Sequence, residues 1–249
     1  MPPTEGGGME IIMRIALMVL RKLYLVPWAF FRLWWTSTHY DGDYRKGFDR
    51  AKVFADNGIK AGNIEVEVHG IENVPKEDGF IYYPNHQGMF DVLTFLHTSP
   101  KPFAFVIKKE AKDIILLKQV IKATGSLPMD REDIRQSMQV INQVAKEVKE
   151  GRNYIIFAEG TRSRNGNQLL EFKGGSFKAA QKAKCPIVPC ALIDSFIPFD
   201  EKSIRQVTVK LIYLPPMYYE EYKDMKSNEI ADEVKRRIEE AIAKHGSSN

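Results

Sequence analysis

Phe80-Ile81-Tyr82-Tyr83-Pro84-Asn85-His86-Gln87-Gly88-Met89-Phe90-Asp91 begins as an apolar strand-like run, passes through a proline, and places a histidine and an aspartate five residues apart. On a regular helix, residues five apart are about 140° apart around the axis. The two side chains therefore meet only if His86 sits on a loop and Asp91 in the first turn of a helix behind it. A strand, a loop and a helix in that order supply the geometry. A neutral imidazole can take a proton from a hydroxyl near physiological pH, while a carboxylate on its other nitrogen fixes the tautomer and stabilises the imidazolium. This is two thirds of a serine-protease triad without the serine, so the nucleophile is expected to arrive with the substrate.

The rest of the chain carries the same alternation. Strand-like runs fall at 64–68, 80–83, 103–107, 154–158, 187–193 and 207–213. Ile134, Met138, Ile141, Ala145 and Val148 recur at helical spacing with Asp130 as the expected N-cap, and Ile230, Val234, Ile238 and Ile242 repeat the pattern after Ser227. Both stripes are expected to be core faces. Alternating strands and helices predict the α/β class, with a largely parallel sheet flanked by helices and ligands at loops beyond the carboxyl ends of strands. His86 and Glu159 both follow such strands. A chain of 249 residues with 44% hydrophobic content accommodates one such domain and an appendage.

Three further segments accompany the opening stretch. Gly125-Ser126-Leu127-Pro128-Met129-Asp130-Arg131 leads into a helix, Phe157-Ala158-Glu159-Gly160-Thr161-Arg162-Ser163 follows an apolar strand, and Ile187-Val188-Pro189-Cys190-Ala191-Leu192 is a fourth block. In order and spacing the four resemble the motifs of the glycerolipid acyltransferases, specifically the 1-acylglycerol-3-phosphate acyltransferases, over 71–193, about half of the chain. Ala158 stands where many members have proline, and Leu127-Pro128-Met129 replaces a more aromatic or branched segment.

The resemblance implies a glycerolipid acyltransferase-like α/β domain in which His86, oriented by Asp91, removes the proton from the sn-2 hydroxyl of a lysophosphatidate. The oxygen then attacks an acyl thioester with no acyl-enzyme, giving phosphatidic acid. No cofactor and no metal are implied; acyl-CoA or an acyl carrier protein thioester is the co-substrate. Arg162, with Arg131 and Lys109, is placed on the acceptor phosphate, which arginine can hold by two parallel hydrogen bonds. Glu159, Gly160 and Thr161 belong to the substrate-binding loop. Glu159 is expected to anchor that loop or the acceptor glycerol, because a free carboxylate would repel a phosphate, and Gly160 to allow a tight turn. Glycerol 3-phosphate or another lysophospholipid is the rival acceptor. An esterase of the α/β-hydrolase type would need Gly-x-Ser-x-Gly, which Gly174-Gly175-Ser176-Phe177-Lys178 fails at its last position. A non-catalytic membrane module would leave His86, Asp91, Glu159 and Arg162 without a purpose.

The appendage has its own composition. Between Glu10 and Asp41 no acidic residue occurs, while Arg14, Arg21, Lys22 and Arg32 fall there with all three tryptophans, Trp28, Trp34 and Trp35. The apolar runs 15–20 and 23–31 are interrupted by Arg21-Lys22, and a spanning helix needs ~20 apolar residues. We therefore expect 9–36 to be a monotopic anchor of two short helices on an anionic membrane surface at the cytoplasmic face, the second beginning near Pro27. The competing reading is an amphipathic helix packed on the domain. The broken apolar stretch disfavours a cleaved signal peptide. Residues 1–8 and 246–249 are expected to be disordered ends, and 37–245 the α/β domain. A net charge of +4 is too mild to suggest a nucleic-acid partner. Cys185 and Cys190 form no Cys-x-x-Cys pair, so zinc is not suggested, and Cys190 reads as a core residue.

Overall fold

The computed structural model describes residues 7–21, 25–39, 43–110, 117–201 and 203–246. Among these, the strands are β1 (Ile64–His69), β2 (Ile81–Pro84), β3 (Ala104–Lys108), β4 (Leu127–Met129), β5 (Tyr154–Ile155), β6 (Ile187–Ile193) and β7 (Val207–Tyr213). The helices are α1 (Gly7–Arg21), α2 (Leu25–Thr38), α3 (Tyr44–Ala61), α4 (Asp91–Thr98), α5 (Leu117–Thr124), α6 (Ile134–Lys149), α7 (Lys178–Ala183), α8 (Ile197–Asp200), α9 (Tyr219–Tyr222) and α10 (Ser227–His245). One sheet runs β1-β7-β6-β2-β5-β3-β4, parallel throughout except at β6–β7. The largely parallel α/β fold expected from the alternation is present.

Burial on both faces explains why the central strands read as unbroken apolar runs. Ile81, Tyr83, Tyr154, Ile187 and Ala191 face the layer of α6, α7 and α10. Tyr82, Ile155, Val188, Cys190 and Leu192 face α3, α4 and α5 on the other side. Strand β5 is shorter than the run that predicts it, although the Ile156 amide still donates to Tyr82 O at 3.0 Å. Strand β4 escaped the sequence reading because it is three half-buried residues with a proline in the middle.

Two expectations about α6 are corrected. Its N-cap is Asp133, whose carboxylate accepts from the Gln136 amide at 3.0 Å, not Asp130. Asp130 lies in the preceding turn, where its carbonyl accepts from Ser137 Oγ at 2.7 Å. Of the apolar stripe, Ile141 and Val148 enter the core, but Ile134 and Met138 are 77% and 58% exposed. Helical spacing identifies an apolar face without saying whether it meets a core or a cavity.

One face of the appendage packs on the domain, as the competing reading expected. Met18 packs with Ile59, Phe90 and Phe199, while Ala29 and Leu33 join the cluster of Phe48 and Phe54. Away from the domain, Ile15, Leu20, Leu25, Trp28, Phe31, Trp34 and Trp35 are exposed. Arg14 departs from its expected place on the headgroup side. It is 1% exposed, and its guanidinium donates to the carbonyls of Gly62 at 2.9 Å, Arg205 at 3.3 Å and Ser203. Helix α2 crosses the expected boundary at residue 36. No helix among the described residues is long and apolar enough to cross a membrane. Lys22, residues 1–6 and residues 247–249 lie outside the described residues; α1 begins within the expected disordered start, at Gly7.

Candidate active site

Strand β2 delivers the chain to the loop 85–90, and α4 begins at Asp91. The Asp91 carboxylate is fully buried and saturated by that loop. Oδ2 accepts from His86 Nδ1 at 2.7 Å and from the Gln87 amide at 2.8 Å, while the Gly88 amide lies 3.1 Å from both oxygens. Its position in the first helical turn places the anion at the positive end of the helix dipole. With the Nδ1 proton directed at this carboxylate, the assigned tautomer leaves Nε2 as the proton acceptor. The imidazole stacks on Phe157 at 4.2 Å between centroids and keeps 19% of its side chain exposed.

Neighbouring amides fix the loop. Asn85 exchanges two hydrogen bonds with Leu192 of β6, at 2.9 and 2.7 Å. Gln87 accepts from the Ser195 amide at 2.8 Å and donates to Asn167 Oδ1 at 2.7 Å.

Glu159 follows β5, the strand paired with β2, so it meets the loop from the side. Its Oε1 accepts from the His86 amide at 2.7 Å and its Oε2 from the Leu170 amide at 2.9 Å. Burial pushes its carboxyl above the usual range, against the opposite pull of those two amides. With both oxygens bonded to backbone, Glu159 anchors loops. Gly160 adopts φ +75°, and a Cβ there would lie 2.9 Å from Lys173 Nζ.

A cavity of about 670 Å³ opens beside the histidine and shares Phe157 with it. Val106, Met129, Ile134, Met138, Ile141 and Ile156 make apolar walls; Arg131, Lys173, Lys178 and Lys182 bring cations to it. This accounts for the exposure of Ile134 and Met138. An apolar slot with a cationic lining suits an amphiphile bearing a hydrocarbon tail and an anionic head. Arg131 is half-buried, and desolvation pushes its guanidinium down, opposed by Glu110. Lys109 Nζ lies next door, 3.3 Å from Asp130 Oδ2. Arg162 is half-buried and Thr161 exposed on the turn after Gly160, and among the described residues neither side chain has a hydrogen bond or ion pair.

The structure thus joins His86, Asp91 and Glu159 in one hydrogen-bonded cluster and puts Gly160 and Arg131 on the cavity. Two features escaped the sequence reading. The apolar run hid Phe157, which shares the Ile155 face by the strand period. In the Lys173-Gly174-Gly175-Ser176 segment Gly174 serves packing, because a Cβ would come 1.9 Å from Asn228 Oδ1. The signal lay in Lys173, whose side chain crosses Gly160.

A largely parallel α/β sheet carrying a His–Asp pair beyond the carboxyl end of one strand, braced by a glutamate that follows the adjacent strand and beside an apolar slot lined by cations, defines a class suited to transfer to a substrate hydroxyl. Residues 65–193 match the family model described as Acyltransferase, and the chain belongs to that family. It is similar to the chloroplastic 1-acyl-sn-glycerol-3-phosphate acyltransferase BAT2 of Brassica napus, 29% identical over 205 residues, covering 80% of this chain and 57% of that protein. It is also similar to the 1-acyl-sn-glycerol-3-phosphate acyltransferases of Borreliella burgdorferi, 34% identical over 53% of this chain and 52% of the other, and Escherichia coli, 32% identical over 66% of each. The chain spans little more than half the length of the first two. The crystal structure of the 1-acyl-sn-glycerophosphate (LPA) acyltransferase PlsC from Thermotoga maritima superposes with a TM-score of 0.74 over 97% of this chain and 99% of the other, at 19% identity, a likeness of fold.

Proposed function

We propose that this protein transfers an acyl chain from an acyl thioester to the sn-2 hydroxyl of a 1-acylglycerol 3-phosphate, giving phosphatidic acid. The observation that carries the reading is the 2.7 Å contact between His86 Nδ1 and a fully buried Asp91, which leaves Nε2 free to act. His86 Nε2 takes the hydroxyl proton as the oxygen attacks the thioester carbonyl. The tetrahedral carbon then expels the thiolate, which receives the proton from the imidazolium. The acyl group passes directly between substrates, and the donor is acyl-CoA or acyl carrier protein.

The cavity supports an amphiphilic substrate, with Arg131 on the side of the phosphate and Arg162 and Lys109 as further donors to it. Gly160 and Thr161 shape the turn that faces the acceptor, and Glu159 holds it in place. The exposed apolar faces of α1 and α2 support residence on an anionic membrane surface, since Trp and Phe of α2 and the stem of Arg21 favour the headgroup region.

Thiol release from an acyl thioester, followed with and without lysophosphatidate, tests the reading. Release that requires the acceptor supports transfer, whereas acceptor-independent release would make the protein a thioesterase. A panel including glycerol 3-phosphate and other lysophospholipids, run with both donors, decides the acceptor.

A further inference from the structure

Arg14 is the largest side chain that α1 buries, and it is buried without a carboxylate partner. Moving a guanidinium out of water is costly unless its donors find acceptors; here Nη1 and Nη2 find backbone carbonyls and Nε finds none. Desolvation accordingly pushes Arg14 below its ordinary range, with Glu201 pulling weakly the other way. A methionine or leucine would seat an amphipathic helix at less cost, so the arginine is explained by what its fork reaches. Its acceptors lie on two segments. Gly62 O is the carbonyl of the residue capping α3, and Ser203 O and Arg205 O belong to the stretch between α8 and β7.

That second stretch lies close in sequence to α8, which packs against the catalytic loop. Phe199 of α8 meets Phe90 edge to face, centroids 5.4 Å apart. Phe90 is the N-cap of α4 and immediately precedes Asp91. At the other end of α8, the Ser195 amide donates to Gln87 Oε1 at 2.8 Å, and a Cβ on Gly88 would come 3.2 Å from Phe196 Cα. Gln87 and Gly88 are the residues whose amides hold the Asp91 carboxylate. Residues 195–199 therefore bear on the loop that sets the His86–Asp91 pair, and Arg14 ties Ser203 and Arg205 a few residues further on. The helix that supplies Arg14 also presents Ile15 and Leu20 outward.

We propose that Arg14 is a positioning residue for the acyl transfer: it couples the seating of α1 on the domain to the geometry of the His86–Asp91 pair. The proposal rests on the functional reading above, and its test separates the two. The full chain is assayed in detergent with a short-chain monomeric acceptor, so that membrane binding plays no part. Arg14→Met is expected to lower kcat about tenfold to a hundredfold, the scale on which small misplacement acts, with KM for both substrates nearly unchanged. Phe199→Leu, which loosens the middle of the path, should do the same in kind. The double variant should lose little more than the worse single, because both act through one path.

The low-field proton resonance of His86 Nδ1–H, assigned by its loss in His86→Ala, provides a readout independent of turnover. It should broaden or disappear in Arg14→Met while far-ultraviolet circular dichroism is retained. A sharp, unshifted resonance together with wild-type kcat in Arg14→Met would overturn the coupling. If Arg14→Met fails to fold, Phe199→Leu decides alone by the same two measurements. Absence of acyl transfer by the wild type would sink the functional reading and leave the resonance to judge the coupling.

Discussion

At the scale of single residues, the site divides into groups that react and groups that hold them. His86→Ala removes the proton acceptor, so kcat should fall by ~10²–10⁴, while thermal unfolding stays nearly unchanged because part of that side chain is already exposed. Glu159→Gln tests the opposite role. A side-chain amide can accept from one of the two backbone donors but turns its NH₂ toward the other, leaving a buried N–H unpaired at ~1–3 kcal/mol. The variant should lose that stability in urea unfolding; unaltered stability with abolished turnover would move Glu159 into the chemistry. Arg162→Lys keeps the charge and loses the planar fork, so use of lysophosphatidate should fall more than use of an uncharged monoacylglycerol. Equal losses would assign Arg162 to loop structure.

At the scale of elements, α6 and α10 show how far a pattern can be read. Both stripes predict helices and both helices are present, yet only α10 gives its whole first turns to the core, with Ile230, Val234 and Ile238 fully buried. The same arithmetic applied to α6 cannot see that Ile134 and Met138 line a slot, because burial depends on what stands opposite. The strands and the His86–Asp91 pair were legible since strand period, proline and loop length fix them locally. The β4 edge, the antiparallel β6–β7 pairing and the Phe157 platform were not, because tertiary contacts decide each. Met138→Trp should shorten the slot and shift preference toward shorter acyl chains, by ~0.8 kcal/mol for each methylene it excludes, read from kcat/KM across a chain-length series. On α10 the charged face has a pH signature. Hydrogen bonding to Arg236, reinforced by Arg237, pushes the Glu233 carboxyl down to about 2. Its contribution is therefore present above the usual carboxylate range and lost as pH falls toward 2. Glu233→Gln should destabilise by about 0.5 kcal/mol near neutrality, as expected for a screened surface network, and the gap in urea midpoints should close on acidification.

At the scale of the whole molecule, the appendage is part of the domain rather than a detachable tether. Removing 1–36 would uncover Phe48, Phe54 and Ile59 and strip the bonds of Arg14, so the truncated chain should unfold at lower urea and aggregate. A truncated domain as stable as the full chain would contradict this. Replacing Phe31, Trp34 and Trp35 by serine, by contrast, should weaken co-sedimentation with anionic liposomes and leave thermal unfolding unchanged, because all three are exposed.

The pairing of β1 with β7, from Ile64 opposite Val207 to His69 opposite Ile212, sets a timetable for the growing chain. Strand β1 leaves the ribosome early and finds its partner only when 207–213 follow; at ~5–20 residues per second that interval is roughly 7–30 s. The acceptors of Arg14 at Ser203 and Arg205 are made in the same late window. Under the proposed membrane residence, the exposed faces of α1 and α2 would be free to meet a bilayer while the sheet is still incomplete. In that order of events the newborn protein becomes competent last.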